Sequence, residues 1–118
     1  MKVLLVDDSN TMRRIAKNQL ITLGITDIIE AENGQDAIDK LKANMPVDLI
    51  TMDINMPVMD GMSALREIRK DATFANVKIV MLTSESEKKT VLEALQAGAN
   101  NYIVKPFTPE GLKQKLGL

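Results

Sequence analysis

Five short apolar runs alternate with five helical patterns along this chain, and no other feature limits the possible folds as strongly. Between the runs, apolar residues recur at intervals of three and four, which is the period of an amphipathic helix. Repeated strand–helix alternation favours a single α/β domain in which a parallel sheet carries helices on both faces. The predicted strands are residues 3–6, 28–31, 49–52, 77–82 and 102–104.

The polarity of these runs predicts which strands lie in the middle of the sheet. The first, third and fourth runs are apolar almost throughout, as is typical of strands that are buried on both faces. The second and fifth are shorter or interrupted by polar residues, which an edge strand tolerates. We therefore expect the first, third and fourth strands to be central, with a functional site beyond the carboxyl ends of the strands.

Start and stop signals delimit the predicted helices. Ser84 and Glu87 have the spacing of a capping box, which predicts the start of the fourth helix. Thr108 followed by Pro109 predicts the N-cap and first position of the fifth helix. Stop signals follow the first, second and fourth helical patterns at Gly24, Pro46 and Gly98.

Composition narrows the class of protein. The chain has 118 residues, 45% of them hydrophobic and 26% charged, as expected of one globular domain over residues 1–118. Its net charge of -1 gives no general attraction to nucleic acid or to an anionic membrane. Residue 7 is already acidic, and no apolar run approaches the ~20 residues of a membrane span, so we expect a cytoplasmic protein.

The sequence contains no cysteine and no histidine. This composition excludes disulfides, thiolate or imidazole metal ligands, and any nucleophile that is activated by histidine. A metal site in this chain must therefore use oxygen ligands, and covalent chemistry must use a carboxylate, a hydroxyl or a lysine.

Polar residues that suit phosphate chemistry follow four of the five predicted strands. Asp7 and Asp8 follow the first strand, and Asp53 follows the third. Thr83 ends the fourth strand, and Lys105 follows the fifth. Each of these residues taken alone is most often a turn, cap or surface residue. Because the carboxyl ends of parallel strands meet at one edge of the sheet, we expect all five to share one site.

The chemistry of this set is specific. Three clustered carboxylates repel one another, so either one of them holds a proton or they share a cation. Mg²⁺ is the natural cation, since it prefers one or two carboxylates together with phosphate oxygens and water. Lys105 supplies a compact positive charge for a phosphoryl oxygen, and Thr83 supplies a hydroxyl donor. The set predicts phosphoryl transfer to a carboxylate, which gives an aspartyl phosphate.

Five motifs in this order resemble those of response-regulator receiver domains, and the resemblance covers the whole chain. Any one motif is weak, whereas the ordered set is specific. The resemblance implies a flavodoxin-like sheet with strand order 2-1-3-4-5 and five helices. The motifs are Val-Asp-Asp-Ser at 6–9, Met-Asp-Ile-Asn-Met-Pro at 52–57, Asp-Gly at 60–61, Met-Leu-Thr-Ser at 81–84 and Ala-Gly-Ala-Asn-Asn-Tyr-Ile-Val-Lys-Pro-Phe at 97–107.

The resemblance also implies a role for each residue at the strand ends. Asp53 is implied to be the phosphate acceptor, with Lys105 pairing with the phosphoryl group. Asp8 and Asp53 are implied to bind Mg²⁺ directly with the backbone carbonyl of Asn55, and Asp7 through water. Mn²⁺ is expected to substitute for Mg²⁺.

A conformational response is implied in the same way. Thr83 is expected to turn toward the phosphoryl group, and Tyr102 to follow it inward. The bond between Lys105 and Pro106 is expected to be cis. Asn55, two positions after Asp53, and Glu85 are expected to flank the path of the water that removes the phosphoryl group.

The implied partners are proteins. A histidine kinase would donate the phosphoryl group and dock on the first helix, whose Arg13, Arg14 and Lys17 otherwise predict a solvated face. A flagellar motor switch protein would bind the output face once Asp53 is phosphorylated, and a phosphatase is a further candidate. We expect a monomer without direct contact to nucleic acid or membrane. The implied output face consists of Lys88, Val91, Leu95, Tyr102 and Lys115.

Within the family, two kinds of protein fit. The span from Met1 to Leu118, the Thr-Met-Arg-Arg start of the first helix and the motif at 101–108 favour a stand-alone chemotaxis regulator. The alternative is a receiver domain cut from a longer regulator, such as a transcription factor. In either case we expect a signalling module that catalyses only its own Mg²⁺-dependent phosphorylation and dephosphorylation.

Two rival functions use similar residues. A phosphatase of the haloacid-dehalogenase type needs an acid two positions after its nucleophile, and Asn55 cannot exchange a proton there. Its nucleophile also follows the first strand, whereas Asp53 follows the third. A flavin-binding protein needs a phosphate cradle after the first strand, where Asp7 and Asp8 would repel the phosphate. Both rivals are therefore disfavoured.

Overall fold

The computed structural model describes residues 1–83, 88–105 and 107–118, and the side chain of Lys88 is not among the described parts. It contains a five-stranded parallel sheet in the order β2-β1-β3-β4-β5. This order confirms the α/β fold and the predicted central position of the first, third and fourth strands. The strands are β1 (Lys2–Val6), β2 (Asp27–Ala31), β3 (Leu49–Asp53), β4 (Lys78–Thr83) and β5 (Asn101–Val104).

Five helices connect and follow the strands, and several begin at a side-chain cap. Thr108 accepts a hydrogen bond from the Gly111 amide and Pro109 begins the last helix, as predicted. Gly24 and Gly98, which follow the first and fourth helices, have φ angles of 89° and 108° that favour glycine. The helices are α1 (Asn10–Thr22), α2 (Gly34–Asn44), α3 (Gly61–Lys70), α4 (Lys88–Gln96) and α5 (Pro109–Leu116).

Three sequence expectations lie outside the described residues. They are the capping box of Ser84 and Glu87, the position of Glu85, and the bond between Lys105 and Pro106.

Every strand differs from its expected range by one residue at one end or at both, and the start of the fourth strand has an identifiable cause. The fourth strand begins at Lys78, not at Val77, because the Val77 amide donates to the Phe74 carbonyl oxygen at 3.2 Å. This hydrogen bond follows a short 3₁₀ turn, Ala72–Phe74, that the apolar pattern did not predict. The turn starts where the Asp71 carboxylate accepts the Thr73 amide at 2.9 Å.

Two hydrophobic cores cover the two faces of the sheet. Central strands send alternate residues to opposite faces, so Ile50 and Met52 lie in one core while Leu49 lies in the other. The first core also contains residues of α2, α3 and α4, and the second contains residues of α1 and α5. Both faces of the central strands are therefore buried, which explains their nearly continuous apolar sequence.

Among the helices in the described ranges, none combines the length and the apolar character needed to cross a membrane.

Candidate functional site

Three carboxylates meet at the carboxyl edge of the sheet. Each of Asp7, Asp8 and Asp53 offers an oxygen, and these oxygens lie within 4.8 Å of one another. The register explains the meeting, since Val6 pairs with Met52 and the next residues along both strands are aspartates. Asp7 is buried, Asp53 is half-buried, and Asp8 is exposed. The cluster is therefore open to solvent on the side of Asp8.

Lys105 lies between two of these carboxylates. Its Nζ is 2.9 Å from Asp7 Oδ2 and 3.4 Å from Asp53 Oδ2, and its side chain is only 12% exposed. The Lys105 amide donates to the Thr83 carbonyl oxygen at 2.7 Å, which joins the end of β5 to the end of β4. One ammonium thus offsets one of the three negative charges in the cluster, which favours the addition of a further cation.

The environment of Asp53 favours its protonated form. Burial raises the pKa of Asp53 above its ordinary value, and the negative charge of Asp7 adds to this effect. The charge and hydrogen bond of Lys105, and the amide of Ile54, act in the opposite direction but do not cancel it. Asp53 is therefore a carboxylate whose charge is only partly compensated by the protein.

Asp7 is held in place from both sides. The Asp7 amide donates to the Ala31 carbonyl oxygen at 3.1 Å, and Asp7 Oδ1 accepts the Ser9 amide at 2.9 Å. The Asp7 carbonyl oxygen accepts a hydrogen bond from Arg13 Nη1. The backbone on both sides of the Asp7 carboxylate is thus fixed by hydrogen bonds.

Arg13 was expected to lie on a solvated face, and this expectation is wrong. Its side chain is only 15% exposed, and its Nε lies 3.1 Å from Glu30 Oε1. Burial alone would raise the pKa of Glu30, but hydrogen bonds from Lys17 and Arg13 and their charges lower it on balance. Arg13 therefore connects the start of α1 to β2 and to the backbone of Asp7.

A backbone hydrogen bond joins the two ends of the loop that follows Asp53. The Ile54 amide donates both to Asp53 Oδ1 at 2.9 Å and to the Leu82 carbonyl oxygen at 3.1 Å. The Gly61 amide donates to the Ile54 carbonyl oxygen at 2.8 Å, so α3 begins beside the backbone at the end of β3. Asn55 is exposed in this loop, two residues beyond Asp53.

The residues of the expected conformational switch lie on adjacent strands. Thr83 is buried at the end of β4, where it pairs with Val104 of β5. Tyr102 is half-buried and pairs with Met81. Tyr102 therefore lies two register positions from Thr83 along the pair of β4 and β5.

The expected output face is partly exposed. Lys115 Nζ lies 4.7 Å from the centroid of the Tyr102 ring. On α4, Val91 is half-buried and Leu95 is 40% exposed, and Leu92, which the sequence reasoning passed over, is 56% exposed. Apolar residues of an amphipathic helix are normally expected to be buried. The exposure of Leu92, directly after the half-buried Val91, is therefore not evident from the spacing of apolar residues alone.

The donor set suits a hard divalent cation. It consists of three carboxylates with oxygens close together, one of them exposed, and hard cations prefer such oxygen ligands. No histidine or cysteine in the chain competes for a softer metal. The residues present therefore fit a magnesium-type ion.

Comparisons with known proteins agree with this geometry. The family model described as the response regulator receiver domain matches residues 3–117. The chemotaxis protein CheY1 of Helicobacter pylori is 52% identical over 98% of this chain and 94% of its own length.

Two solved structures extend the likeness to the fold. Vibrio cholerae CheY4 has a TM-score of 0.90 at 34% identity, covering 98% of this chain and 95% of that one. A Borrelia burgdorferi CheX–CheY complex with BeF₃ and Mg²⁺ matches with a TM-score of 0.92 at 31% identity, covering 98% and 86%. The chain therefore belongs to the family of response regulator receiver domains, the phosphorylation-activated switches of two-component systems, as a homologue of CheY chemotaxis proteins.

Proposed function

We propose that Asp53 accepts a phosphoryl group from a histidine kinase and that this modification controls the binding of a flagellar motor switch protein in chemotaxis. The observation that carries the proposal is the position of Asp53. Its carboxylate lies in a cluster with Asp7 and Asp8 and only 3.4 Å from the ammonium of Lys105. The similarity to chemotaxis proteins supports the choice of pathway.

The transfer itself requires little from the protein beyond position and charge. A carboxylate oxygen of Asp53 forms a bond to phosphorus while the bond from phosphorus to the donor imidazole nitrogen breaks, and the imidazole leaves and takes up a proton. Lys105 is already held beside Asp53 by its ion pair with Asp7, so its charge needs little rearrangement. The protein thus acts on its own carboxylate, and we propose that it catalyses only its own phosphorylation and dephosphorylation.

We propose that Asp8, Asp53 and the backbone carbonyl of Asn55 hold Mg²⁺ directly, with Asp7 acting through water. Mg²⁺ supplies charge that allows an anionic phosphoryl group to approach carboxylates, and Mn²⁺ is expected to substitute. The close carboxylate oxygens of the cluster support this assignment. The magnesium named for the similar Borrelia complex supports the choice of metal.

The proposed response begins at Thr83, which turns its hydroxyl toward the phosphoryl group and leaves space for Tyr102. The output face would then bind the motor switch protein through α4, β5 and α5. We place the docking of the kinase on α1 and retain a phosphatase as a further partner. A monomeric state, a cytoplasmic location and the absence of contact with nucleic acid or membrane remain expectations of this proposal.

The test measures the coupling between the phosphorylation site at Asp53 and the output face. A peptide from a motor switch protein is titrated into the parent protein and Thr83→Ala, with and without beryllofluoride and Mg²⁺. The parent should bind about 5–150-fold more tightly with beryllofluoride, which is the usual range of coupling. Thr83→Ala should lose most of this gain, and Thr26→Ala in an exposed loop should retain it. Equal affinity of the parent in both states would contradict the proposed output.

A further inference from the structure

Lys115 reaches around the open edge of the sheet to the ring of Tyr102. The ring packs against the core that contains residues of α2, α3 and α4, whereas α5 packs on the opposite face through Leu112 and Leu116. Lys115 Nζ nevertheless lies 4.7 Å from the centroid of that ring. The contact is possible because β5 is the edge strand of the sheet formed by the described residues, so that no described strand separates α5 from Tyr102.

Asn101 holds the backbone of Tyr102 and the backbone of Lys115 relative to each other. Its Oδ1 accepts the Tyr102 amide at 2.9 Å, and its Nδ2 donates to the Lys115 carbonyl oxygen at 3.2 Å. One side-chain amide therefore connects the backbone of β5 beside the ring to the backbone of α5 at Lys115. The backbone position from which the Lys115 side chain extends is therefore held relative to the Tyr102 ring.

The geometry suits an attraction between a cation and an aromatic ring. An ammonium within about 6 Å of a ring centroid is attracted by the negative face of the ring. At a partly exposed site such a contact favours one arrangement over another by about two- to fivefold. Lys115 is half-buried, so the contact is formed where bulk water screens it only in part.

We infer that Lys115 is a positioning residue that favours the Tyr102 ring position of this structure. The consequence of this inference, and only the consequence, rests on the proposed function: the contact opposes the ring movement that accompanies phosphorylation. Lys115 would then set how readily the switch responds, in addition to lying on the output face.

The test measures the ring directly. Three-bond couplings between the Tyr102 side-chain carbon and its backbone give the populations of the χ1 rotamers, without metal or phosphoryl group. Lys115→Met removes the charge but retains the length, Lys115→Arg retains a cation, and Lys113→Met removes a charge from an exposed position of α5. Thermal unfolding of each variant verifies that it is folded.

Lys115→Met should lower the population of the Tyr102 χ1 rotamer seen in this structure, relative to the other rotamers, by about two- to fivefold. Lys115→Arg should restore the parent ratio, and Lys113→Met should leave it unchanged. The inference is wrong if Lys115→Met has the parent ratio, or if Lys113→Met shifts it equally, since the effect would then be one of general charge.

A second measurement separates this inference from the proposed function. Under the inference, Lys115→Met should bind beryllofluoride in the presence of Mg²⁺ about two- to fivefold more tightly than the parent does. An unchanged affinity would refute the claim that the contact opposes activation. If beryllofluoride leaves the χ1 populations of the parent unaltered, the proposed switch fails, whereas a rotamer shift in Lys115→Met still supports the positioning role.

Discussion

Gly61 packs so closely against Asp53 that a Cβ atom on Gly61 would lie 2.1 Å from the Asp53 carbonyl oxygen. At this distance the backbone itself would have to move, because no flexible side chain is available to yield. The Gly61 amide also donates to the Ile54 carbonyl oxygen at 2.8 Å. The first residue of α3 thus fixes the end of β3 that carries the proposed acceptor.

Gly61→Ala should therefore impair both stability and phosphorylation. Displacement of packed backbone is expected to lower the free energy of unfolding by about 1–3 kcal/mol and to slow phosphorylation by a small-molecule donor. Urea unfolding and the rate of phosphoryl incorporation measure the two effects.

Gly24→Ala is the matched control for this variant. Gly24 has a φ of 89°, and in the described part of the chain no atom beyond its two neighbours lies within 4 Å of an added Cβ. It follows the C-terminal end of α1, whereas Asp7 and Asp8 precede the start of that helix. The Gly24→Ala variant should have a free energy of unfolding about 1–2 kcal/mol lower than that of the parent, without a change in phosphorylation rate. A normal phosphorylation rate in Gly61→Ala would show that the close approach does not position Asp53.

Asp53→Asn should be more stable than the parent at neutral pH. The pKa of Asp53 is raised, chiefly by burial, so the folded state favours the protonated carboxyl, which asparagine imitates without a charge. A raised pKa gives stability that is present at low pH and lost as the pH rises through the folded pKa.

The advantage of Asp53→Asn should accordingly shrink as the pH falls through the raised pKa toward the ordinary value of 3.8. Urea unfolding of both proteins over this range measures the difference. Asp39→Asn, at an exposed position of α2, should change stability little throughout. A variant less stable than the parent at pH 7 would mean that Asp53 and Lys105 form a net stabilising pair.

Arg69 should be intolerant of replacement by lysine. Its planar guanidinium serves several separate acceptors, and a single ammonium cannot reproduce this arrangement. Arg69→Lys is expected to lower the free energy of unfolding by about 1–3 kcal/mol, since carbonyl groups lose their donors. Arg66→Lys, at an exposed position of the same helix, should have almost no effect, and equal losses in the two variants would contradict this role. The acceptors are the carbonyl oxygens of Phe74, Val77 and Gly98 and the side chain of Asn100.

Val58 should be replaceable with a gain in stability. It is 84% exposed and has a φ of 67°, a backbone conformation that branched residues adopt at a cost of about 1–2 kcal/mol. The turn is closed around Val58 by the Met59 amide, which donates to the Pro57 carbonyl oxygen at 2.7 Å, and it is held from outside by the Gly34 amide, which donates to the Met59 carbonyl oxygen. Val58→Asn should raise the free energy of unfolding by roughly 1 kcal/mol and Val58→Ala by less, as measured in urea. Equal values for the two variants would argue against strain at this residue.

Features that depend on neighbouring residues could be predicted from the sequence. The cap at Thr108, the stops at Gly24 and Gly98 and the central position of three apolar strands follow from local patterns, and the structure confirms them. The meeting of the aspartates also follows, because parallel strands bring their carboxyl ends to one edge.

Features that depend on distant partners could not be predicted in this way. Arg13 looks like a solvated residue in its helix, and only the fold places Glu30 and the Asp7 carbonyl within its reach. The contact of Lys115 with Tyr102 depends equally on the position of β5 at the edge of the sheet. Periodicity shows which face of a helix is apolar, but not what a long polar side chain meets.

The central claim is that Asp53 is the phosphate acceptor, and intact-mass measurement with peptide mapping tests it most directly. After incubation with Mg²⁺ and a small phosphodonor, the parent protein and Asp39→Asn should each gain one phosphoryl group, located on Asp53. Asp53→Asn should gain none, although it remains folded. Labelling of Asp53→Asn to the same extent as the parent would contradict the account and place the acceptor elsewhere in the chain.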